Sequence, residues 1–172
     1  FIVTTVEKEP LIPIGHEIAC DQFRLPIESP KKAFKTSGPK LTVSTNGDNL
    51  SASSSKVNFM FNKKTGIVTS YKVDGTEYFS EGFGIQPNFW RAPTDNDYGN
   101  GMPKRLQVWK ESSKNFNVTD ATVTMDGNNA VVNVNYLLPA GNLYIVNYTI
   151  YPSGAVNVAA RFTSTDMDAA QT

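Results

Sequence analysis

The chain has 172 residues, which is enough for one full domain or for one domain with part of a neighbour. Sixteen basic and sixteen acidic side chains give a formal net charge of zero, so no charge excess attracts nucleic acid or an anionic membrane. The single cysteine cannot form an internal disulfide, one histidine is too few for a Cys/His zinc site, and no apolar stretch approaches the about 20 residues that span a bilayer.

The N-terminal residues predict two paired strands. Residues 1–6 are rich in β-branched side chains, and residues 16–23 alternate apolar with polar side chains. A turn region at residues 10–15 lies between them. The chain begins without Met inside a strand-like run, so we expect it to be a piece of a longer protein. We interpret His16 as a structural histidine rather than a general base or a metal ligand.

Residues 26–40 have the composition of an exposed linker. They contain three prolines, four lysines and a Ser-Gly-Pro run. We therefore predict a domain boundary here, with residues 1–25 on one side and residues 41–172 on the other.

Short strand signals separated by turn residues fill most of the chain after the linker. Asn, Asp and Gly in the turns supply the positive φ that tight hairpins need. The runs at 130–138 and 143–151 are expected to pair across the turn at 140–142. The pattern predicts an all-β, antiparallel sandwich with no helix longer than about three turns. Its strands are predicted at 41–44, 50–54, 57–62, 67–73, 76–79, 116–125, 130–138, 143–151 and 155–162.

Residues 82–111 do not show this pattern of short strand signals separated by turn residues. They are rich in Gly, Pro and Asn and hold both tryptophans, Trp90 and Trp109. A loop of this length inside a compact β domain is usually functional or is structured by its own side chains.

Four motifs support one family resemblance. Residues 88–99, Asn-Phe-Trp-Arg-Ala-Pro-Thr-Asp-Asn-Asp-Tyr-Gly, resemble the R-A-P-x-D-N-D-x-G signature of the last domain of large β-galactosidases in glycoside hydrolase family 2. Residues 59–71 resemble the F-N-x-x-T/S-G-x-[IL] hairpin of that domain, and residues 106–110 are similar to the tryptophan segment after the loop. Residues 15–23 resemble the G-H-x-I-A/S-x-x-Q-[FW] strand that ends the preceding immunoglobulin-like domain.

The resemblance covers essentially the whole chain and implies its place in a larger enzyme. Residues 1–25 would be the tail of the fourth, immunoglobulin-like domain. Residues 41–172 would be the leading part of the fifth, a supersandwich with a galactose-mutarotase-like fold that is truncated here. The parent would be a retaining enzyme that hydrolyses terminal β-D-galactosyl residues.

In that family the catalytic glutamates and the Mg and Na ions belong to a barrel domain. The resemblance therefore implies that this chain has no catalytic residue, metal ligand or cofactor of its own and is inactive alone. It would meet a β-galactoside only together with the rest of the enzyme, which is expected to be a homo-oligomer. The bacterial compartment, cytoplasmic or periplasmic, stays open.

The signature loop gives the candidate site residues. Asp95 and Asp97 are better explained as residues that fix a bend, together with Asn96, than as a catalytic pair. Arg91 would anchor the bend by holding Asp95 or Asp97 with its planar fork. The resemblance places the loop at the edge of the sugar pocket.

Further candidates surround this bend. Gly99, Asn100 and Gly101 match the start of a loop that opens and closes over the active site in the family, although an ordinary surface loop explains them equally well. Trp90 and Trp109 could stack on a sugar face, and core packing is the alternative.

Two other functions compete with the enzyme fragment. A free-standing carbohydrate-binding module would also be a β-sandwich with Tyr and Trp in its loops. An enzyme similar to aldose epimerases needs a His and a carboxylate as acid and base. The sole histidine, His16, lies in the N-terminal segment, which disfavours that function.

Overall fold

A computed structural model describes residues 1–25, 35–80 and 83–164. The chain divides into two compact units, Phe1–Ala33 and Phe34–Thr172. The division falls within the predicted linker, of which residues 26–34 lie outside the described residues. In the described part, no helix is long and apolar enough to cross a membrane.

The first unit contains a small hairpin. Strands β1 (Ile2–Thr4) and β2 (Glu17–Cys20) pair antiparallel, as the sequence predicts, with Ile2 opposite Cys20. The Thr5 hydroxyl donates to the Pro13 carbonyl at 2.7 Å and accepts the His16 N–H at 3.0 Å, which closes the connection between the strands. Every residue of both strands is exposed.

The second unit begins with a five-stranded antiparallel meander. Its strands are β3 (Thr42–Asn46), β4 (Asn49–Ser53), β5 (Val57–Asn62), β6 (Ile67–Val73) and β7 (Thr76–Glu77), in that order across the sheet. The bounds of β5 and β6 coincide with the predicted ones. Alternating side chains of β4 and β5 are buried, because each strand has one face on the core.

A four-stranded antiparallel sheet forms the other layer. It contains β8 (Asn117–Asp126), β9 (Asn129–Leu137), β10 (Leu143–Ile150) and β11 (Val156–Thr163), with the order β11-β10-β9-β8. Strands β9 and β10 pair as predicted, with Leu137 opposite Leu143 and Ala130 opposite Ile150. The predicted all-β antiparallel sandwich is confirmed.

The core lies between the two sheets and is rich in aromatic rings. The rings of Phe59 and Tyr148 are 5.6 Å apart across the layers. The Tyr136 hydroxyl donates to the Gly66 carbonyl at 2.9 Å, and a Cβ at Gly66 would lie 2.6 Å from the Phe116 ring. The buried cluster consists of Leu41, Leu50, Ala52, Val57, Phe59, Phe61, Val68, Ala130, Val132, Val134, Tyr136, Leu138, Val146, Tyr148 and Ile150.

The chain between β7 and β8 contains short helices where the sequence predicted only a loop. These are α1 (Asp95–Gly99), α2 (Met102–Arg105) and α3 (Gln107–Ser112). None of them, within the described residues, exceeds six residues, so the expected limit on helix length is confirmed. Helices this short have no apolar periodicity that a sequence window can detect.

Candidate functional site

The signature segment turns into α1 at a Thr-x-x-Asp motif. Thr94 is the N-cap residue, with extended backbone angles of φ −91° and ψ 172°. Asp97, the third helical residue, accepts the Thr94 backbone N–H at 2.7 Å and the Thr94 hydroxyl at 2.9 Å, both on Oδ2. A short acidic side chain at this position of a helix satisfies a backbone donor that would otherwise lack a partner.

Arg91 holds the same carboxylate from the other side. One guanidinium nitrogen, Nη1, is 2.5 Å from Asp97 Oδ2, and Nη2 donates to Oδ1 at 2.9 Å. Nη1 also donates to the Ala92 carbonyl at 3.1 Å. Of the two partners that the sequence allowed, the structure pairs Arg91 with Asp97, in a bidentate geometry.

This pair fixes the charge state of Asp97. The Arg91 guanidinium, and after it the Thr94 backbone N–H, hold the pKa of the Asp97 carboxyl well below its usual range. The same contact raises the pKa of Arg91. The Asp97 side chain is only 11% exposed, whereas the Arg91 side chain is 64% exposed. At neutral pH the carboxylate is therefore ionised and occupied by donors, and it has little capacity to exchange a proton.

Asp95 and Asn96 occupy the first turn of α1 beside the pair. Both are exposed. Asp95 is an acidic residue at the start of the helix, a position where negative charge is favourable. Neither side chain has a hydrogen bond to another described residue. The bend is thus fixed by Asp97, while Asp95 and Asn96 leave polar groups at the surface.

The turn from α1 to α2 is built from Gly99, Asn100 and Gly101. Asn100 Oδ1 accepts the Met102 N–H at 2.9 Å, and the Asn100 carbonyl accepts a bond from Arg105 Nη1 at 2.9 Å. Gly101 has a φ of 73°, in the left-handed region that favours glycine. Gly99 has no atom near its would-be Cβ and no positive φ. Only Gly101 of the two is needed for its backbone conformation.

The two tryptophans lie in one cleft. Together they line a pocket of about 220 Å³ with Phe89, Arg91, Met102 and Leu106. The Trp109 ring is 6.1 Å from Phe89 and 5.8 Å from Phe162. Both indoles are half-buried, so each combines packing with an accessible face.

Sequence reasoning missed three residues that shape this region. Ser113 Oγ accepts the Phe89 N–H at 2.6 Å and donates to the Trp109 carbonyl at 3.1 Å, joining the start of the segment to its end. Met102 is buried beside the tryptophans. Thr94 is the N-cap. Only Thr94 had a detectable signal, because Ser or Thr three residues before an acidic or amide residue marks a helix start.

Metal-binding residues are not gathered in the part of the chain that the structure describes. There, no three His, Cys, Asp or Glu side chains lie close enough to hold an ion together. Cys20 is an exposed free thiol.

Comparison with known proteins identifies the family. A family model described as "Beta galactosidase small chain" matches residues 53–170. This chain belongs to that family. The match includes β5 to β11 and the whole Arg91–Asp97 site.

Three relatives show how much of a larger protein the chain represents. It is 34% identical to a β-galactosidase of Priestia megaterium, with 84% of this chain and 14% of the relative aligned. It is 30% identical to a β-galactosidase of Kluyveromyces lactis, with 80% of this chain and 14% of the relative aligned. It is 26% identical to a β-galactosidase small subunit of Latilactobacillus sakei, with 60% of this chain and 39% of the relative aligned. The chain thus spans about one seventh of the length of the two long relatives.

Proposed function

We propose that this chain is a non-catalytic part of a retaining β-galactosidase that hydrolyses terminal β-D-galactosyl residues. The family membership and the names of the relatives support this activity for the parent protein. In the proposed parent, the catalytic carboxylates and any metal ions belong to other domains, and the subunits assemble as a homo-oligomer.

The state of Asp97 supports a non-catalytic role. A retaining glycosidase needs two carboxyl groups about 5–5.5 Å apart, one of which carries a proton to the leaving group. An acid of that kind has a raised pKa. The pKa of Asp97 is lowered, and its oxygens already accept bonds from Arg91 and Thr94. Asp97 is therefore suited to hold the backbone and unsuited to deliver a proton.

The second part of the proposal is that residues 91–101 form a loop at the rim of the parent's active site. The bend that Arg91 and Asp97 hold in place is the observation that supports it. Arg91 and Asp97 fix its base through two hydrogen bonds, and Asp95 and Asn96 offer exposed polar groups to a sugar or to the neighbouring domain. The turn at Gly99, Asn100 and Gly101 would then allow its outer part to move.

The tryptophan cleft supports one alternative function. Indole faces pack well against the C–H face of a sugar ring, and a guanidinium at the rim could bind hydroxyl groups. Trp90, Trp109 and Arg91 would supply these contacts. A free-standing carbohydrate-binding module would use this cleft alone, whereas a rim element would contact sugar only beside the catalytic domain.

Two measurements on the isolated chain test the proposal. A chromogenic β-galactoside should give no turnover above a buffer blank, and calorimetric titration with lactose should give no heat of binding. Turnover that Asp97→Asn abolishes would contradict the non-catalytic assignment. Lactose binding that Trp109→Ala removes would favour the free-standing module.

A further inference from the structure

One side chain joins the start of the segment between β7 and β8 to its end. Ser113, the C-cap residue of α3, accepts the Phe89 N–H on its hydroxyl oxygen at 2.6 Å. The same hydroxyl donates to the Trp109 carbonyl at 3.1 Å. A serine hydroxyl has one proton to donate and lone pairs that accept, so it makes both bonds at once. Ser113 therefore connects α3 to a residue 24 positions earlier in the chain.

The two bonds of Ser113 have different consequences. The Trp109 carbonyl also accepts the Ser113 backbone N–H, at 3.2 Å, so the end of α3 is held even without the hydroxyl. Because the hydroxyl proton is directed at this carbonyl, the oxygen lone pairs are left for the Phe89 N–H. Loss of the hydroxyl should therefore affect Phe89 much more than α3.

Phe89 connects this bond to the sandwich on one side and to the bend on the other. Its ring lies 5.2 Å from the Tyr144 ring of β10 and packs against the core. Arg91 follows two residues later and holds Asp97. Residues 89–91 lie in no helix or strand, so the Phe89 N–H depends on a side chain for its partner.

Removal of the Ser113 hydroxyl would leave the N–H of the half-buried Phe89 without its partner. Such a group costs free energy until it meets water or another acceptor. Because the Phe89 ring is held by the sheet, the backbone that follows it would take up the shift. The position of the Arg91–Asp97 bend relative to the sandwich thus depends on the Ser113 hydroxyl.

The neighbouring Ser112 offers a comparison at the same end of α3. It is completely buried, and its hydroxyl oxygen has no hydrogen-bond partner among the described residues. Removal of this hydroxyl breaks no bond and eliminates an unsatisfied polar group. Ser112→Ala should therefore leave the segment in place, which makes it a matched control for Ser113→Ala.

We propose that Ser113 is a positioning residue for the reaction of the parent β-galactosidase. Its hydroxyl sets the position of the backbone at Phe89 and, through it, of the bend that Arg91 and Asp97 hold. Ser113 itself touches neither the substrate nor a reacting group. The inference rests on the proposed function, because this position matters for catalysis only if residues 91–101 lie at the rim of the active site.

The kinetics of the intact parent enzyme on a chromogenic β-galactoside test this role. Ser113→Ala should lower kcat/KM by about ten- to a hundredfold, because displacements of about 1 Å can cost on the order of a hundredfold in rate. Ser113→Thr keeps the hydroxyl and should restore most of the activity, and Ser112→Ala should leave it unchanged. An equal loss in Ser112→Ala and Ser113→Ala would overturn the proposal, since packing at the end of α3 would then explain both.

A double variant separates positioning from a general loss of stability. Arg91→Ala already releases the bend that Ser113 positions, so adding Ser113→Ala should lower kcat/KM by less than about twofold more. Two full losses that multiply would overturn the proposal. If Arg91→Ala alone leaves the kinetics unchanged, the rim function fails and the positioning role fails with it. If Arg91→Ala lowers kcat/KM and Ser113→Ala does not, only the positioning role fails.

Hydrogen exchange in the unsubstituted parent gives a test that requires no variant to fold. The Phe89 amide should exchange at least about tenfold more slowly than the amide of the exposed Ala92, although both lie outside helices and strands. Mass spectrometry with fragmentation to single residues measures both rates. In Ser113→Ala the Phe89 amide should exchange as fast as that of Ala92. Equal rates in the unsubstituted enzyme would overturn the proposal.

Discussion

The sandwich and the segment between β7 and β8 are held by different interactions. In the sandwich, facing strands bury rings such as Phe59 and Tyr148. In the segment, the packing of Phe89 and Trp109 is joined by polar contacts, above all the Arg91–Asp97 pair and the bonds of Ser113. A buried aromatic or aliphatic side chain contributes about 1.5–3 kcal/mol, whereas exposed ion pairs contribute about 0–1 kcal/mol.

The stability of the domain and the geometry of the candidate site therefore depend on different residues. The sandwich determines whether the domain folds, and the segment between β7 and β8 determines where a few polar groups lie. A change in the segment should therefore alter function in the parent with little effect on folding. A change in the core should do the reverse.

The largest effect is expected for Phe59→Ala. This ring is 1% exposed and packs on Tyr71 and Tyr148, so its removal leaves a cavity that the rigid sheets cannot fill. The free energy of unfolding should fall by about 3–5 kcal/mol, as measured by urea denaturation of the isolated chain. Phe83→Ala is the matched control, because Phe83 is 77% exposed. Equal effects of the two variants would mean that the core does not carry the stability.

Arg91→Ala should affect the parent enzyme next most strongly. Loss of the fork frees the bend at Asp97, and displacements of about 1 Å can cost on the order of a hundredfold in rate. We expect kcat/KM to fall while its pH profile stays the same, because the proposed function assigns the titrating groups to other domains. Arg91→Lys keeps the charge without the bidentate fork and should recover only part of the loss.

Two outcomes would contradict this prediction. A shifted pH profile in Arg91→Ala would mean that the pair belongs to the catalytic groups. An unfolding midpoint for the isolated Arg91→Ala chain as low as that of Phe59→Ala would erase the contrast between segment and sandwich.

Gly99 and Gly101 allow a similar comparison for the backbone of the turn between α1 and α2. Gly101→Ala forces a side chain onto a φ of 73°, at a cost of about 1–2 kcal/mol. If the turn is a hinge in the parent, kcat and KM should change together. Gly99→Ala should leave both constants unchanged, because Gly99 has open space and no positive φ. Identical kinetics in the two variants would make the turn an ordinary surface loop.

The smallest effect is expected for Glu77, an exposed carboxylate in the edge strand β7. The Ser70 hydroxyl donates to its carboxylate at 2.6 Å and the Tyr71 N–H at 2.9 Å. The Ser70 bond, followed by the backbone donors, lowers the pKa of Glu77. A lowered pKa in the folded state adds stability at neutral pH that is lost as the pH falls through it.

The Glu77 contribution should be no more than about 1 kcal/mol, since the group is exposed. Urea denaturation over the acid range where a free Glu titrates, near a pH of about 4.3, measures it. Glu77→Gln should flatten this pH dependence, and Asp48→Asn, at an exposed carboxylate without a hydrogen bond among the described residues, should leave it as it is. A flat profile in the unsubstituted chain would contradict the prediction.

Much of the sandwich could be predicted because its signals are local. The period-two alternation in β5 and β9 identifies a buried face, and turn residues such as Gly47 and Gly141 mark where strands end. Each predicted strand after the linker has its counterpart in the structure, with bounds that differ by at most two residues. Hairpin pairing then follows from short connections.

The short helices could not be predicted in the same way. Runs of four to six residues carry less than two helical turns, so neither propensity nor periodicity stands out. Their position depends on contacts with residues distant in sequence, such as that of the Trp109 ring with Phe162. Only the Thr94–Asp97 spacing gave a local hint of a helix start.

By itself, the sequence determined the fold class, the strand order along the chain and the identity of the signature loop, because alternation, turn chemistry and short motifs are properties of neighbouring residues. The tertiary structure decided which carboxylate Arg91 holds, that Trp90 and Trp109 share a cleft, and that Ser113 joins Phe89 to Trp109. Asp95 and Asp97 are equivalent in composition and nearly so in position. The choice between them depends on the direction in which the first turn of α1 points each side chain, and that direction is fixed only by the start of the helix at Thr94 and by the path of the backbone that brings Arg91 to Asp97.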